Sequence, residues 1–155
     1  WPTNIWLGVS VETSAYLWRV DYLRKIPAAV RFISAEPLLG SLDRLDLDGI
    51  HWVIAGGESG ANARECNATW VEELRDLCNS TDVAFFFKQW GGRSHSSGGR
   101  ILDGRTWDEY PFVANISDPT STWPANRQAD NSFVPSSVVP ESSIQASRTN
   151  YKVIT

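Results

Sequence analysis

The stretch Ile50-His51-Trp52-Val53-Ile54-Ala55-Gly56-Gly57-Glu58-Ser59-Gly60 decides the fold. A mostly apolar run passes into two glycines, a carboxylate, a serine and a third glycine. A short apolar run bounded by turn residues is how a parallel strand buried on both faces reads. The glycines let the backbone turn sharply or let a ligand come close to it. A strand whose carboxyl end opens into Gly-Gly-Glu-Ser-Gly puts a charge and several N–H groups where α/β folds carry their chemistry. This loop is therefore expected to be one wall of a binding site.

Outward from it, three further strands are expected. Residues 4–11 (Asn-Ile-Trp-Leu-Gly-Val-Ser-Val) are rich in β-formers, as are 28–35 (Ala-Ala-Val-Arg-Phe-Ile-Ser-Ala) and 83–87 (Val-Ala-Phe-Phe-Phe). Between the first two, Leu17, Val20 and Leu23 form a helical stripe, with Arg19, Asp21, Arg24 and Lys25 on the wet face and Pro27 as a stop. After the glycine loop, Thr69 and Glu72 have capping-box spacing. Val71, Leu74, Leu77 and Cys78 then give an apolar helix face. Residues 42–47 predict no more than a helical turn. Alternating β and α units with near-continuous apolar strands predict an α/β fold with a parallel sheet. Four such strands make half of a partial TIM-like barrel, an open doubly wound sheet being the rival. The expected domains are a β/α half-barrel over 1–92, a loop and docking segment over 93–111 with an Asp103-Gly104 turn signal, and an irregular, poorly ordered tail over 112–155, rich in Ser, Thr, Pro and Asn. A half-barrel is also expected to leave its first and last strands unpaired, an aggregation hazard.

A chain of 155 residues with 42% hydrophobic residues can bury one core. Its formal charge of -4 and pI near 5.1 argue against a bulk electrostatic grip on nucleic acid. No run approaches the roughly 20 apolar residues that span a bilayer, so no membrane partner is expected. Without a leader-like segment, a cytoplasmic location is expected. The two cysteines, Cys66 and Cys78, are too few and too loosely spaced for a zinc site or disulfide framework. Neither His51 nor His95 has a second ligand at useful spacing, so no metal site is expected within the chain. The chain starts at Trp1 on the approach to a strand and holds no Met, which reads as a piece whose beginning lies elsewhere.

Laid side by side, the four strands bring Glu12, Glu36, Glu58 and Lys88 toward one rim. Ser10, Ser34, Ser59 and Gln89 are their neutral neighbours. Clustered carboxylates raise one another's pKa unless a cation or ligand amine is shared. The bland alternative is a set of solvated strand-end charges that never meet, since one residue per strand fixes neither facing nor register. The loop Gly56-Gly57-Glu58-Ser59-Gly60 fits neither the phosphate-loop nor the dinucleotide spacing. It is either a tight turn or a glycine shelf beside a ligand, with Arg64 pairing Glu58 or binding an anion. The candidate cofactor- or substrate-binding residues are Ser10, Glu12, Glu36, Gly56, Gly57, Glu58, Ser59, Lys88 and Gln89, and no catalytic residue stands out.

Five stretches carry a resemblance: Trp6-Leu-Gly-Val-Ser-Val-Glu12, Pro27-Ala-Ala-Val-Arg-Phe-Ile-Ser-Ala-Glu-Pro-Leu-Leu-Gly40, Trp52-Val-Ile-Ala-Gly-Gly-Glu-Ser-Gly60, Phe85-Phe-Phe-Lys-Gln-Trp-Gly91 and Leu102-Asp-Gly-Arg-Thr-Trp-Asp-Glu-Tyr-Pro111. In that order they resemble the carboxyl-terminal half of the phage "gene product 37 / gene product 68" family, a domain of unknown function. The resemblance implies a radical-S-adenosylmethionine-like enzyme on a β/α barrel. Its amino-terminal half would carry a three-cysteine motif for a [4Fe–4S] cluster, with S-adenosylmethionine as cofactor. That half of the same protein and a small-molecule ligand are then the implied partners. No cofactor is expected for this chain alone, because the cysteine motif is not in it, and it is expected to be inactive by itself. The other reading is a non-catalytic phage accessory module that binds a nucleotide or another small ligand.

Overall fold

In the computed structural model, residues 4–94, 97–111 and 151–154 are described, the last four by their backbone. In chain order these form β1 (Trp6–Ser10), a 3-10 turn (Ser14–Tyr16), α1 (Trp18–Arg24), β2 (Val30–Ala35), β3 (Trp52–Gly56), α2 (Ala68–Ser80), β4 (Ala84–Gln89) and β5 (Tyr151–Ile154). They make one parallel sheet in the order β4-β3-β2-β1-β5. The α/β class, the parallel sheet and the two helices match the sequence reading. The described residues form an open sheet, and nothing among them closes it into a barrel. No helix among them is long and apolar enough to cross a membrane. The expected tail meets the described residues only at 151–154, which form a short strand on β1 where the sequence predicted none. Residues 112–150 and His95 lie outside the described set.

Strict alternation along each strand sorts the side chains to two faces. Leu7, Val9, Ile33, Ala35, Val53, Ala55, Phe85 and Phe87 share one core with Val20 and Leu23 of α1 and Val71, Leu74 and Cys78 of α2. Each large side chain buried there contributes about 1.5–3 kcal/mol. Cys78 is fully buried and its thiol is pushed far up by burial, so it is core filler. The α1 stripe follows the sequence reading, but α2 starts two residues early, at Ala68. Asn67 accepts the Thr69 N–H at 2.9 Å, so Asn67 caps the helix and not the Thr69–Glu72 box. Residues 42–47 form no helix. Ser41 Oγ accepts from Asp43 N and Asp46 Oδ1 from Asp48 N, local bonds that compete with helical ones. Leu42, Leu45, Leu47 and Ile50 nonetheless plug the core as a coil.

Among the described residues, no helix packs on the opposite face. Its amino-terminal half is an aromatic layer in which Phe32 and Trp52 are buried and Trp6 and Phe86 pack against them. The docking segment completes it. Asp103 and Gly104 take left-handed φ of 51° and 76°, the turn that Asp-Gly signals, and a Leu102–Arg105 bridge closes it. Beyond it the chain runs antiparallel to β4. Phe87 N donates to Trp107 O at 2.9 Å, Glu109 N to Phe85 O at 3.1 Å, and Phe85 N to Glu109 Oε2 at 3.0 Å. Trp107 packs on Phe85 on the helical side, while Tyr110 packs on Trp52 and Phe86 on the open side. The expectation of two unpaired edge strands is therefore corrected: residues 107–109 cover β4 and β5 covers β1. The sequence reading missed this because edge pairing by an irregular segment has no period to detect.

One pH-sensitive contact holds β2 to the entry of β3. Arg31 N donates to His51 Nδ1 at 3.0 Å, and His51 N donates to Arg31 O at 2.9 Å. Burial, and then the Arg31 charge, hold the His51 pKa below its ordinary value of 6.5. The unfolded chain thus binds the proton more readily than the native one. This contribution to stability is complete above pH 6.5 and is lost as pH falls through the lower native pKa. Urea midpoints should fall between pH 7.5 and 5.5, and His51→Asn, which keeps an acceptor but does not titrate, should flatten that slope. An unchanged slope would show that His51 is not the group responsible.

Candidate functional site

At the carboxyl end, the open face changes from aromatic to polar. Ser10 and Ser34 are register partners on β1 and β2, both buried, at 5% and 9% exposure. Glu36 lies one step further along the same face as Ser34, just past the end of β2, and its Oε1 accepts the Ser34 hydroxyl at 3.2 Å. The Glu36–Pro37 peptide bond is cis. On β4 the register slips: Ala55 pairs Phe87 but Gly56 pairs Gln89, which leaves Lys88 as the extra residue of a bulge. A bulge re-aims a side chain. Here Lys88 reaches across β3, and its Nζ meets Glu36 Oε2 at 2.8 Å. Strands lie about 4.8 Å apart, so this arm spans about 10 Å from β4 to β2. Gly56 makes the crossing possible. A Cβ there would lie 3.4 Å from Lys88 Cβ and 3.5 Å from Glu36 Oε2, so any larger side chain would stand in the path.

The four charges expected to converge do not all meet. Glu36 and Lys88 form the pair just described. Glu12 is held instead by Arg19 of α1, at 3.5 Å, and the same guanidinium donates to Ser10 O at 2.8 Å. Glu58 takes a two-pronged grip from Arg64, at 2.7 and 2.8 Å, with Arg64 N adding a third bond at 2.9 Å. These bonds hold the Glu58 carboxyl down to about 2. A carboxylate so satisfied stays charged and is not a general base at neutral pH. Gln89 donates to Ser59 Oγ at 2.7 Å, so those two residues secure loop to loop. The structure thus brings together Ser10, Glu36, Gly56 and Lys88, and places Glu12, Glu58, Ser59 and Gln89 in separate local contacts. In the sequence Arg19 belongs to the wet helix face, and only its spacing of seven residues from Glu12 points toward the rim.

The glycine loop is not an open shelf. Gly57 N donates to Gln89 O, Gly92 N to Glu58 O and Gly60 N to Gly92 O, all at 2.8–2.9 Å. A Cβ on Gly57 would lie 1.9 Å from Trp90 O, and one on Gly91 would lie 2.1 Å from Glu58 O. These glycines let the two loops lie backbone to backbone, and the donors a nest would offer to an anion are largely used within the protein. Trp90 is a plug, not a platform: its ring packs on Phe87 at 4.7 Å and its Nε1 donates to Ile101 O at 2.8 Å.

Among the described residues no group of three or more His, Cys, Asp or Glu is placed to hold a metal ion. Half-buried Cys66, its thiol pushed up to about 11 by burial, and buried Cys78 do not make a cluster site. This chain's described residues therefore do not fit an iron–sulfur cluster. The open rim presents one carboxylate and one ammonium on a single face, with the buried Ser34 hydroxyl bracing the carboxylate, groups suited to a small polar ligand.

No curated protein and no solved structure matches this chain. A family model does match, over residues 1–111, the span that holds β1 to β4, both helices and the docking segment. The chain belongs to that family, described as a protein of unknown function, DUF5131.

Proposed function

We propose that the open face at the carboxyl ends of β1–β4 is the cofactor- and substrate-binding wall of a radical-S-adenosylmethionine-type β/α enzyme of the phage "gene product 37 / gene product 68" kind. The observation that carries the reading is the Glu36–Lys88 pair at 2.8 Å across Gly56, with Ser34 on Glu36. Lys88 is half exposed, and an exposed ion pair stabilises a fold by only about 0–1 kcal/mol. A bulge that re-aims a lysine across a neighbouring strand has little structural return, so the arrangement fits a binding role better.

S-adenosylmethionine bears an ammonium and a carboxylate on its methionyl arm and hydroxyls on its ribose. Glu36 suits the ammonium and Lys88 the carboxylate, while the buried Ser34 hydroxyl holds Glu36 in place. When bound and supplied with an electron, that cofactor supplies radical-initiating chemistry. In this reading the chain's own residues bind and orient it, while the aromatic layer of Phe32, Trp52 and Phe86 keeps water from the floor. The described residues do not fit a cluster, so no step is assigned through one.

The test is thermal unfolding with added S-adenosylmethionine. A ligand at a hundredfold excess over its Kd stabilises by about 2.7 kcal/mol, so Tm should rise by several degrees. Lys88→Met should leave the ligand-free Tm nearly unchanged and remove the rise. No rise at millimolar ligand, or the same rise in the variant, would end the proposal.

A further inference from the structure

We infer that the outer face of α1 is a self-association surface, on which a second copy of this chain packs with its own α1 antiparallel, about a two-fold axis near Tyr22. This does not depend on the rim binding a small molecule. Trp18, Asp21, Tyr22 and Lys25 stand at i, i+3, i+4 and i+7, so they share one face of the helix, and all four are exposed. Val20 and Leu23, on the other side, hold α1 to the core. Trp18 is 55% exposed and Tyr22 61%, and Tyr16 just before α1 adds a third ring at 39%. Trp and Tyr are the side chains most often found at the centre of binding interfaces. Here they are already ordered by this chain's own groups. Trp18 meets Tyr22 edge to face with 5.8 Å between centroids, and Lys25 Nζ lies 4.9 Å over the Tyr22 ring. Rings held in place lose little freedom when a partner covers them.

The charges of this face decide among occupants. Arg24 holds Asp21 at 2.7 Å and Asp46 at 3.0 Å, which gathers two exposed carboxylates along the rings. They repel a nucleic acid strand and an anionic membrane. Lys25, at the carboxyl end of the same face, has the opposite sign. A face with an acid in its middle, a cation at one end and aromatic rings between them is complementary to itself turned around. The two-fold axis lays position 18 of each helix against position 25 of the other, and 21 against 22. Each Lys25 then meets the Trp18 ring of the other copy, a cation–π contact, with Asp21 of that copy beside it. Such an isologous interface closes at two copies. A whole aromatic side chain carries 150–250 Å², so the three part-exposed rings bring about 300 Å² per copy. A stable dimer needs about 800 Å² per partner. The pair is therefore weak, at or beyond the micromolar end of the affinity range.

Sedimentation equilibrium of the full chain from about 1 µM to about 1 mM tests this. The weight-average mass should rise from one chain toward two and no further. Trp18→Ser with Tyr22→Ser should hold it at one chain, with Tm unchanged because both side chains are exposed. Lys25→Glu removes the cation without touching the rings and should raise the dissociation constant about tenfold. It carries the comparison should the double variant not fold. A chain that stays monomeric to the highest concentration, an association that ignores these substitutions, or growth beyond two copies would overturn the inference. So would binding of an oligothymidylate or of anionic phospholipid vesicles that the double variant abolishes, since the face would then belong to another occupant.

Discussion

Gly57→Ala is expected to unfold the chain at a markedly lower temperature, with a loss of about 3 kcal/mol, at the upper end of what overpacking costs. The reason is the 1.9 Å between the added Cβ and Trp90 O, with Trp90 C at 2.6 Å and Cys66 Cβ at 3.1 Å. Two of these neighbours are backbone, so no rotamer change can relieve the clash. Relief requires the glycine loop to move off β4, which breaks Gly57 N to Gln89 O and then Gly92 N to Glu58 O. A drop in Tm of roughly 10 °C follows from the usual conversion for a domain of this size. Gly40→Ala is the control: its Cβ would meet only Thr13 side-chain atoms, at 3.6 and 3.7 Å, and Tm should hardly move. Equal Tm values for the two variants would mean that the loops are not in backbone contact.

Trp52→Ala is expected to cost about 3–5 kcal/mol, the usual range for removing a buried tryptophan. Trp52 is 7% exposed and sits among Trp6, Phe32, Phe86 and Tyr110, with ring centroids 5.3–6.1 Å away. Its Nε1–H also secures Glu109 O at 2.9 Å. The variant therefore loses the aromatic layer and loosens the segment on the edge of β4. Hydrogen exchange at Phe85 and Phe87, whose N–H groups that segment receives, should accelerate more than exchange in α1. Trp52→Phe keeps the layer but not the indole N–H, and should show the same pattern at smaller amplitude. Uniform acceleration across the sheet would show that Trp52 acts as general core and not as the anchor of residues 107–110.

The four strands at residues 6–89 were legible because strands buried on both faces must be apolar throughout, and Trp-Val-Ile-Ala and Ala-Phe-Phe-Phe admit little else. Both helices were legible from stripes such as Val71, Leu74 and Cys78. The site was legible only in part. That Glu36 and Lys88 lie at strand ends follows from the sequence. That they meet depends on a one-residue bulge at Lys88 and an empty position at Gly56, which no local pattern announces. Glu12 and Glu58 went elsewhere because each has an arginine six or seven residues downstream, Arg64 and Arg19 respectively for Glu58 and Glu12, and a nearby cation is an easier partner than a distant strand. The glycines at 56–60 suggested room for a ligand. Their partners, Gln89 to Gly92, lie some thirty residues away and fill that room with backbone instead.

Binding of a small molecule at the polar carboxyl rim of the open face is read by amide chemical-shift mapping during titration with S-adenosylmethionine. The signals of Ser10, Ser34, Glu36, Gly56 and Lys88 should move together with one dissociation constant, while those on the outer surfaces of α1 and α2 stay still. Shifts gathered at any other surface, or none at saturating ligand, would show that the rim is not the binding site.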